Sequence, residues 1–268
     1  CIHDDWFSGE KVLGAPLRLI LDHPELDLRF CLNWANENWT RRWDGSDHQV
    51  ILAQKHAPGD PEAYIDSIAE ALRDPRYIRV DGRPLLMMYR PGALPDAADT
   101  VRRWRARARE LGIGDLYLVM ARSFDDADPR PWGFDAAAGF PPHLHGPHAE
   151  RERRLFRHLD PMHRGRTLLY DEMARAHAEA EAEGHRLLPG VCPSWDNAAR
   201  RGRRSTTFLG ATPAKYGHWL RAAMRRAAEA PPEERIVFLN AWNEWAEGAI
   251  LEPDLHYGHA WLAETRRA

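Results

Sequence analysis

The 268 residues carry 37 Lys and Arg against 40 Asp and Glu, a net charge of −3, which leaves no bulk basic footprint for nucleic acid and no acidic tail. The three cysteines, Cys1, Cys31 and Cys192, stand far apart with no CxxC pair, which speaks against a small disulfide-rich frame and for a reducing compartment, the cytoplasm. No apolar run is long enough to cross a membrane as a helix, and the length fits one large domain spanning 1–268.

The chain opens on Cys1 rather than Met, so it reads as a piece of a longer protein, with 1–9 as the end of a strand entered from upstream. Residues 17–21 (LRLIL) predict a short helix that Pro24 ends. The run 28–32 (LRFCL) predicts a strand, and it stops in a polar and aromatic cluster, 33–45 (NWANENWTRRWDG). A helix follows over 61–73, with Pro61 in its first turn and apolar residues at Ile65, Ile68, Ala69 and Leu72. After the turn at Asp81 and Gly82, residues 84–89 (PLLMMY) form the next buried strand, ending at Tyr89. A helix over 97–111, closed by Gly112, leads to a strand over 116–120, and a weaker strand pattern covers 134–140. An Ala- and Glu-rich helix over 171–183 precedes the run 187–192, which enters 193–197 (PSWDN). Thr212 and Pro213 fit the N-cap and first position of a helix reaching Ala230, and a last helix over 256–267 closes the chain.

Between these two helices lies the most informative stretch, 235–248 (RIVFLNAWNEWAEG). An apolar strand gives way abruptly to Asn, Trp and Glu, as a buried parallel strand does when it delivers side chains to a site at its C-terminal end. Glu244 and Glu247 are three residues apart, so a helical or tight-turn backbone sets them on one side of the chain. Paired carboxylates at that range suit acid/base work on a glycosidic bond. Trp242 and Trp245 offer flat faces for a sugar ring, and Asn240 and Asn243 offer amides for its hydroxyls.

Strand, loop and helix in alternation are the pattern of a parallel α/β fold. Polar and aromatic clusters follow at least three strands, at 33–43, 193–197 and 240–248, as in a barrel whose strand ends share one mouth, and no G-x-G-x-x-G marks an open dinucleotide-binding sheet. The expected fold is therefore a (β/α)8 TIM barrel lacking its first strands in this chain. The expected substrate-binding residues are Trp34, Asn36, Glu37, Trp39, Arg42, Tyr89, Trp195, Asp196, Asn197, Arg200, Trp242, Asn243 and Trp245. Glu37 is read either as a sugar ligand or as the partner of Arg41 or Arg42.

Residues 34–45 (WANENWTRRWDG), 193–197 (PSWDN) and 240–248 (NAWNEWAEG), with 251–254 (LEPD) after them, resemble the glycoside hydrolase family 99-like domain, also called the WbsX-like family. Three long motifs in the same order run over nearly the whole chain. The resemblance implies a (β/α)8 barrel found in polysaccharide and lipopolysaccharide biosynthesis proteins and related to endo-acting α-mannosidases, working without metal or other cofactor on an oligo- or polysaccharide. It also implies that Glu247 is the general acid/base. Glu244 would deprotonate the sugar's own 2-hydroxyl, which attacks the anomeric carbon to give a 1,2-anhydro sugar with overall retention. Where similar sequences carry an aromatic-rich segment, this chain has Ile2-His3-Asp4-Asp5, and only Trp6 and Phe7 follow the pattern.

Other clusters read as ordinary structure. His143, His145 and His148 lack a carboxylate at helical spacing and are taken as loop residues rather than metal ligands. Asp126-Ala127-Asp128 reads as a turn rather than a nucleotide-sugar metal site. Arg200, Arg201, Arg203 and Arg204 are read as reaching an anionic sugar or phosphate at the mouth, with a solvated basic loop as the alternative for Arg203 and Arg204. Three functions follow: a retaining hydrolase of α-linked, mannose-type glycans, a glycosyl-transferring enzyme of polysaccharide assembly, or a non-catalytic carbohydrate-binding barrel.

Overall fold

A computed structural model describes residues 1–41, 46–125, 128–144, 161–181 and 184–268. Its chain folds as two compact units: residues 1–39, 50–137 and 183–186 form the first, and 40–49, 138–182 and 187–268 the second.

The first unit is built on a parallel sheet. Ile2–Phe7 (β1), Leu32–Trp34 (β3), Arg83–Met88 (β4) and Tyr117–Arg122 (β5) lie side by side in that order, and Glu10–Val12 (β2) returns antiparallel on β1. The register sets His3 beside Asn33, Asn33 beside Met87 and Met87 beside Val119, so these four share one face. The opposite face carries Trp34, which stacks on Tyr64 of Asp60–Arg73 (α2) at 5.0 Å between ring centroids and packs at 5.5 Å against Trp104 of Ala97–Glu110 (α3). Trp6 meets both Trp34 and Tyr64 edge-on. Each helix is written locally: α2 has Pro61 in its first turn and buries Ile65, Ile68 and Leu72, and α3 starts where Asp96 accepts a bond from the Asp99 N–H at 2.8 Å. The short helix Ala15–Asp22 (α1) ends before Pro24, as expected. The strand expected at 28–32 is displaced: Leu28 is exposed, Phe30 makes only an isolated bridge to Tyr77, and continuous pairing starts at Leu32, opposite Ile2. Ala136–Gly139 (β6) follows β5 in the sheet and leads the chain onward.

The second unit pairs its strands two by two. Arg166–Leu169 (β7) runs parallel to Thr206–Leu209 (β9), Gly190–Val191 (β8) parallel to Phe238–Leu239 (β10), and Asn243–Glu244 (β11) antiparallel to Ala249–Ile250 (β12). Tyr170–Ala178 (α4), Pro213–Ala228 (α5) and Ala260–Arg267 (α6) enclose a core of Leu168, Tyr170, Val191, Cys192, Trp195, Tyr216, Trp219 and Trp261. Thr212 caps α5 by accepting from the Lys215 N–H at 3.3 Å, with Pro213 at the first helical position.

The architecture is thus mixed α/β with a parallel sheet, and the described strands do not close into the expected ring. The run 187–192 is interrupted at Pro189, which gives the ladder no N–H, between the strand pieces Arg186–Leu188 and Gly190–Val191.

Candidate active site

The stretch expected to be the working end follows β10 directly. Asn240 continues the parallel pairing, its N–H bonding Val191 O at 2.8 Å, while its side-chain Nδ2 donates to Pro141 O at 2.5 Å. Asn240 therefore anchors the chain rather than facing outward. β11 then turns through a single 3-10 turn, Trp245–Glu247, and Gly248 in the left-handed region, φ +62°, turns the chain back into β12. This tight turn places Glu244 and Glu247 within reach of one cation: Arg200 donates from Nη1 to Glu247 Oε1 at 3.0 Å and from Nη2 to Glu244 Oε1 at 3.4 Å. Both carboxylates are part-buried, with 37% and 20% of their side-chain surface exposed.

Residues 193–197 brace that turn from the other side. Ser194 Oγ donates to Gly248 O at 2.5 Å, and the Asp196 N–H donates to Glu247 O at 2.8 Å. Beneath them Cys192 is fully buried, its Sγ donating to Ser194 O at 2.9 Å. Burial pushes its thiol well above the usual range, and the nearby Glu247 charge adds to the effect, so it stays a thiol and not a nucleophile.

The two tryptophans of the motif are half exposed, Trp242 at 54% and Trp245 at 53%. Trp245 is held by its Nε1–H, which donates to Glu252 Oε2 at 2.6 Å, and the Trp242 carbonyl accepts from the N–H groups of Leu251 and Glu252. Asn243 is exposed beside them. Trp195, by contrast, is buried in the core, and the Asn197 side chain is spent on the backbone, its Oδ1 accepting from the Thr206 N–H at 2.6 Å. Asp196 Oδ1 accepts from the Ala198 N–H and from Thr207 Oγ1.

In the first unit, Asn36, Glu37 and Tyr89 gather at the C-terminal end of the sheet around Arg90. Asn36 clamps the Arg90 backbone twice, Nδ2 donating to its carbonyl and Oδ1 accepting from its N–H, each at 2.8 Å. Arg90 Nη1 reaches Glu37 Oε1 at 2.6 Å, and its guanidinium lies 4.1 Å from the Phe124 ring centroid. Glu37 thus has an ion-pair partner far away in sequence, Arg90. Neither Arg90 nor Phe124 stood out in the sequence, because each follows an ordinary strand. Trp39 donates to Asp5 Oδ1 at 3.3 Å, and burial, with the Asp4 charge behind it, holds the Asp5 carboxyl above the usual range. Trp34 corrects an expectation: it packs between sheet and helices, 3% exposed, and offers no face to a sugar.

Arg42, His145, His148, Asp126 and Ala127 lie outside the described residues. His143 lends its carbonyl to His177 Nε2, and Asp128 pairs with Arg130, whose guanidinium and N–H pull its carboxyl down to about 2. Among the described residues no cluster of three or more His, Cys, Asp or Glu gathers as a metal site, and no helix is long and apolar enough to cross a membrane.

The family model described as glycosyltransferase WbsX matches residues 1–265. The chain belongs to the WbsX family. Its relatives include uncharacterized protein WxcX of Xanthomonas campestris pv. campestris, 44% identical over 269 residues, which take in 100% of this chain but 38% of WxcX. WxcX of strain B100 is 43% identical with the same coverage. This WbsX-family chain thus spans well under half the length of those relatives. Among solved structures, a glycoside hydrolase-like protein superposes with a TM-score of 0.58 at 16% identity, over 89% of this chain and 70% of that one. The GH99 endo-alpha-mannosidase from Bacteroides thetaiotaomicron superposes at 0.52 with 14% identity, over 93% and 64%. At such identities the likeness establishes a glycoside hydrolase-like fold and nothing finer.

Proposed function

We propose that this WbsX-family chain is a glycan-processing enzyme of the (β/α)8 type that cleaves α-linked, mannose-type glycans with retention, in cytoplasmic surface-polysaccharide or lipopolysaccharide metabolism. The observation that carries the proposal is Glu244 and Glu247 on one tight turn, bridged by Arg200 and flanked by the exposed faces of Trp242 and Trp245. Glu247 gives its proton to the glycosidic oxygen as the bond from C1 breaks. Glu244 takes the proton of the 2-hydroxyl, whose oxygen closes on C1 to form the 1,2-anhydro sugar. Glu247, now a carboxylate, deprotonates a water that opens the three-membered ring at C1, and Glu244 returns its proton to O2. Two inversions give net retention, and neither step calls for a metal ion.

A second reading, favoured by the family's description as a glycosyltransferase, replaces that water by an acceptor hydroxyl. Incubating the full protein and Glu247→Gln with a panel of α-linked oligosaccharides and bacterial surface polysaccharides tests the first reading. The substitution is expected to lower turnover by about 10²- to 10⁴-fold while glycan binding persists. Binding without cleavage by either protein would leave a carbohydrate-binding barrel, and turnover that needs a nucleotide sugar would establish transfer.

A further inference from the structure

We infer that Arg200 is a positioning residue that sets the geometry of the Glu244 and Glu247 pair, and not a ligand for substrate; the inference rests on the acid/base reading of that pair. Two carboxyl groups three residues apart on a part-exposed turn each have several staggered rotamers open to them, so the turn alone does not fix their separation. The Arg200 guanidinium joins one oxygen of each, at 3.0 Å and 3.4 Å. Because its donors sit in a rigid planar fork, holding both carboxylates also fixes the distance between them, which the point charge of a lysine does not do.

The fork is itself held. Ala198–Arg201 is a helical turn whose start is fixed by the two residues before it. The Ala198 N–H donates to Asp196 Oδ1 at 2.9 Å, and the Arg200 and Arg201 N–H groups donate to Asn197 O at 3.1 and 2.8 Å. Asn197 in turn is tied to β9 through the Thr206 N–H. A Cβ added at Gly248 would lie 3.0 Å from the backbone N and O of Asp196, so the strip that aims Arg200 and the turn that carries the glutamates touch backbone to backbone. The motif at 193–197 thus reaches the reaction through Arg200 rather than through its own Asp and Asn. Acid and base must stand at one separation for a concerted closure of O2 on C1, and a misplacement of about 1 Å costs on the order of 100-fold in rate.

The experiment compares wild type, Arg200→Met and Arg200→Lys on neutral α-linked mannooligosaccharides, with ligand-free crystal structures of all three. Arg200→Met is expected to lose about 100-fold in kcat with KM within about threefold, and Arg200→Lys to stay about 10-fold below wild type. In Arg200→Met crystals the carboxyl carbons of Glu244 and Glu247 are expected to move apart by about 1 Å; Arg200→Lys serves the same comparison if the Met variant does not fold. A rise in KM at constant kcat would make Arg200 a substrate ligand and overturn the inference. Unchanged carboxyl separation would overturn it whatever the rates show. Should wild type cleave none of the oligosaccharides, the acid/base reading fails, and the crystal comparison alone still decides whether Arg200 spaces the pair.

Discussion

Gly248 shows how little room the carboxylate turn leaves. Its φ of +62° disfavours any side chain, and an added Cβ would press on Asp196, whose N–H holds Glu247 O at 2.8 Å. Gly82, at φ +75° with nothing within 4 Å of a built Cβ, has the backbone strain without the contact. Gly82→Ala is expected to cost about 1 kcal/mol in a urea titration and leave turnover intact, whereas Gly248→Ala costs about 2 kcal/mol or more and also lowers kcat. Equal losses in the two variants, with equal rates, would mean that the Gly248 contact does not matter. At this scale residue type misleads when taken alone: Trp34 and Trp242 sit in similar motifs, yet one fills the layer between sheet and helices and the other stands half exposed.

Elements were legible where local chemistry decides them. Thr212 and Pro213 announce α5 because an N-cap hydroxyl and a donor-free first residue satisfy needs that lie within one turn. Pairing was less legible: how far 28–32 joins the ladder depends on which residues find a neighbour across it, and that neighbour is Ile2. The joints between elements were not legible at all. Asn36, which the motif suggests as a sugar ligand, ties the loop after β3 to the loop after β4 through both Arg90 backbone groups. Buried as it is, replacing it leaves that N–H and carbonyl without their partner, so Asn36→Ala is expected to destabilise by about 2 kcal/mol and to shift the urea midpoint. A variant of wild-type stability with weakened glycan binding would return Asn36 to a ligand role.

At the scale of the whole chain the three cysteines report on both units. Cys31 is buried in the first and Cys192 in the second, while Cys1 is exposed. Burial pushes both inner thiols above the usual range, so a thiol reagent at neutral pH is expected to find one reactive cysteine in the native chain and three after denaturation. Fast reaction of a second thiol would show that the unit holding it is open. The sequence by itself determined the alternation of strands and helices, the caps, and the glutamate pair with its flanking tryptophans. Those features rest on spacing along a few residues: periods of two and 3.6, a proline at a first turn, two carboxylates three apart. Only the tertiary structure decided that Glu37 pairs with Arg90 over 53 positions and that Arg200 bridges Glu244 and Glu247 over 44 and 47. Such partners are chosen by which strand ends the fold brings side by side, and spacing along the chain holds no record of that distance.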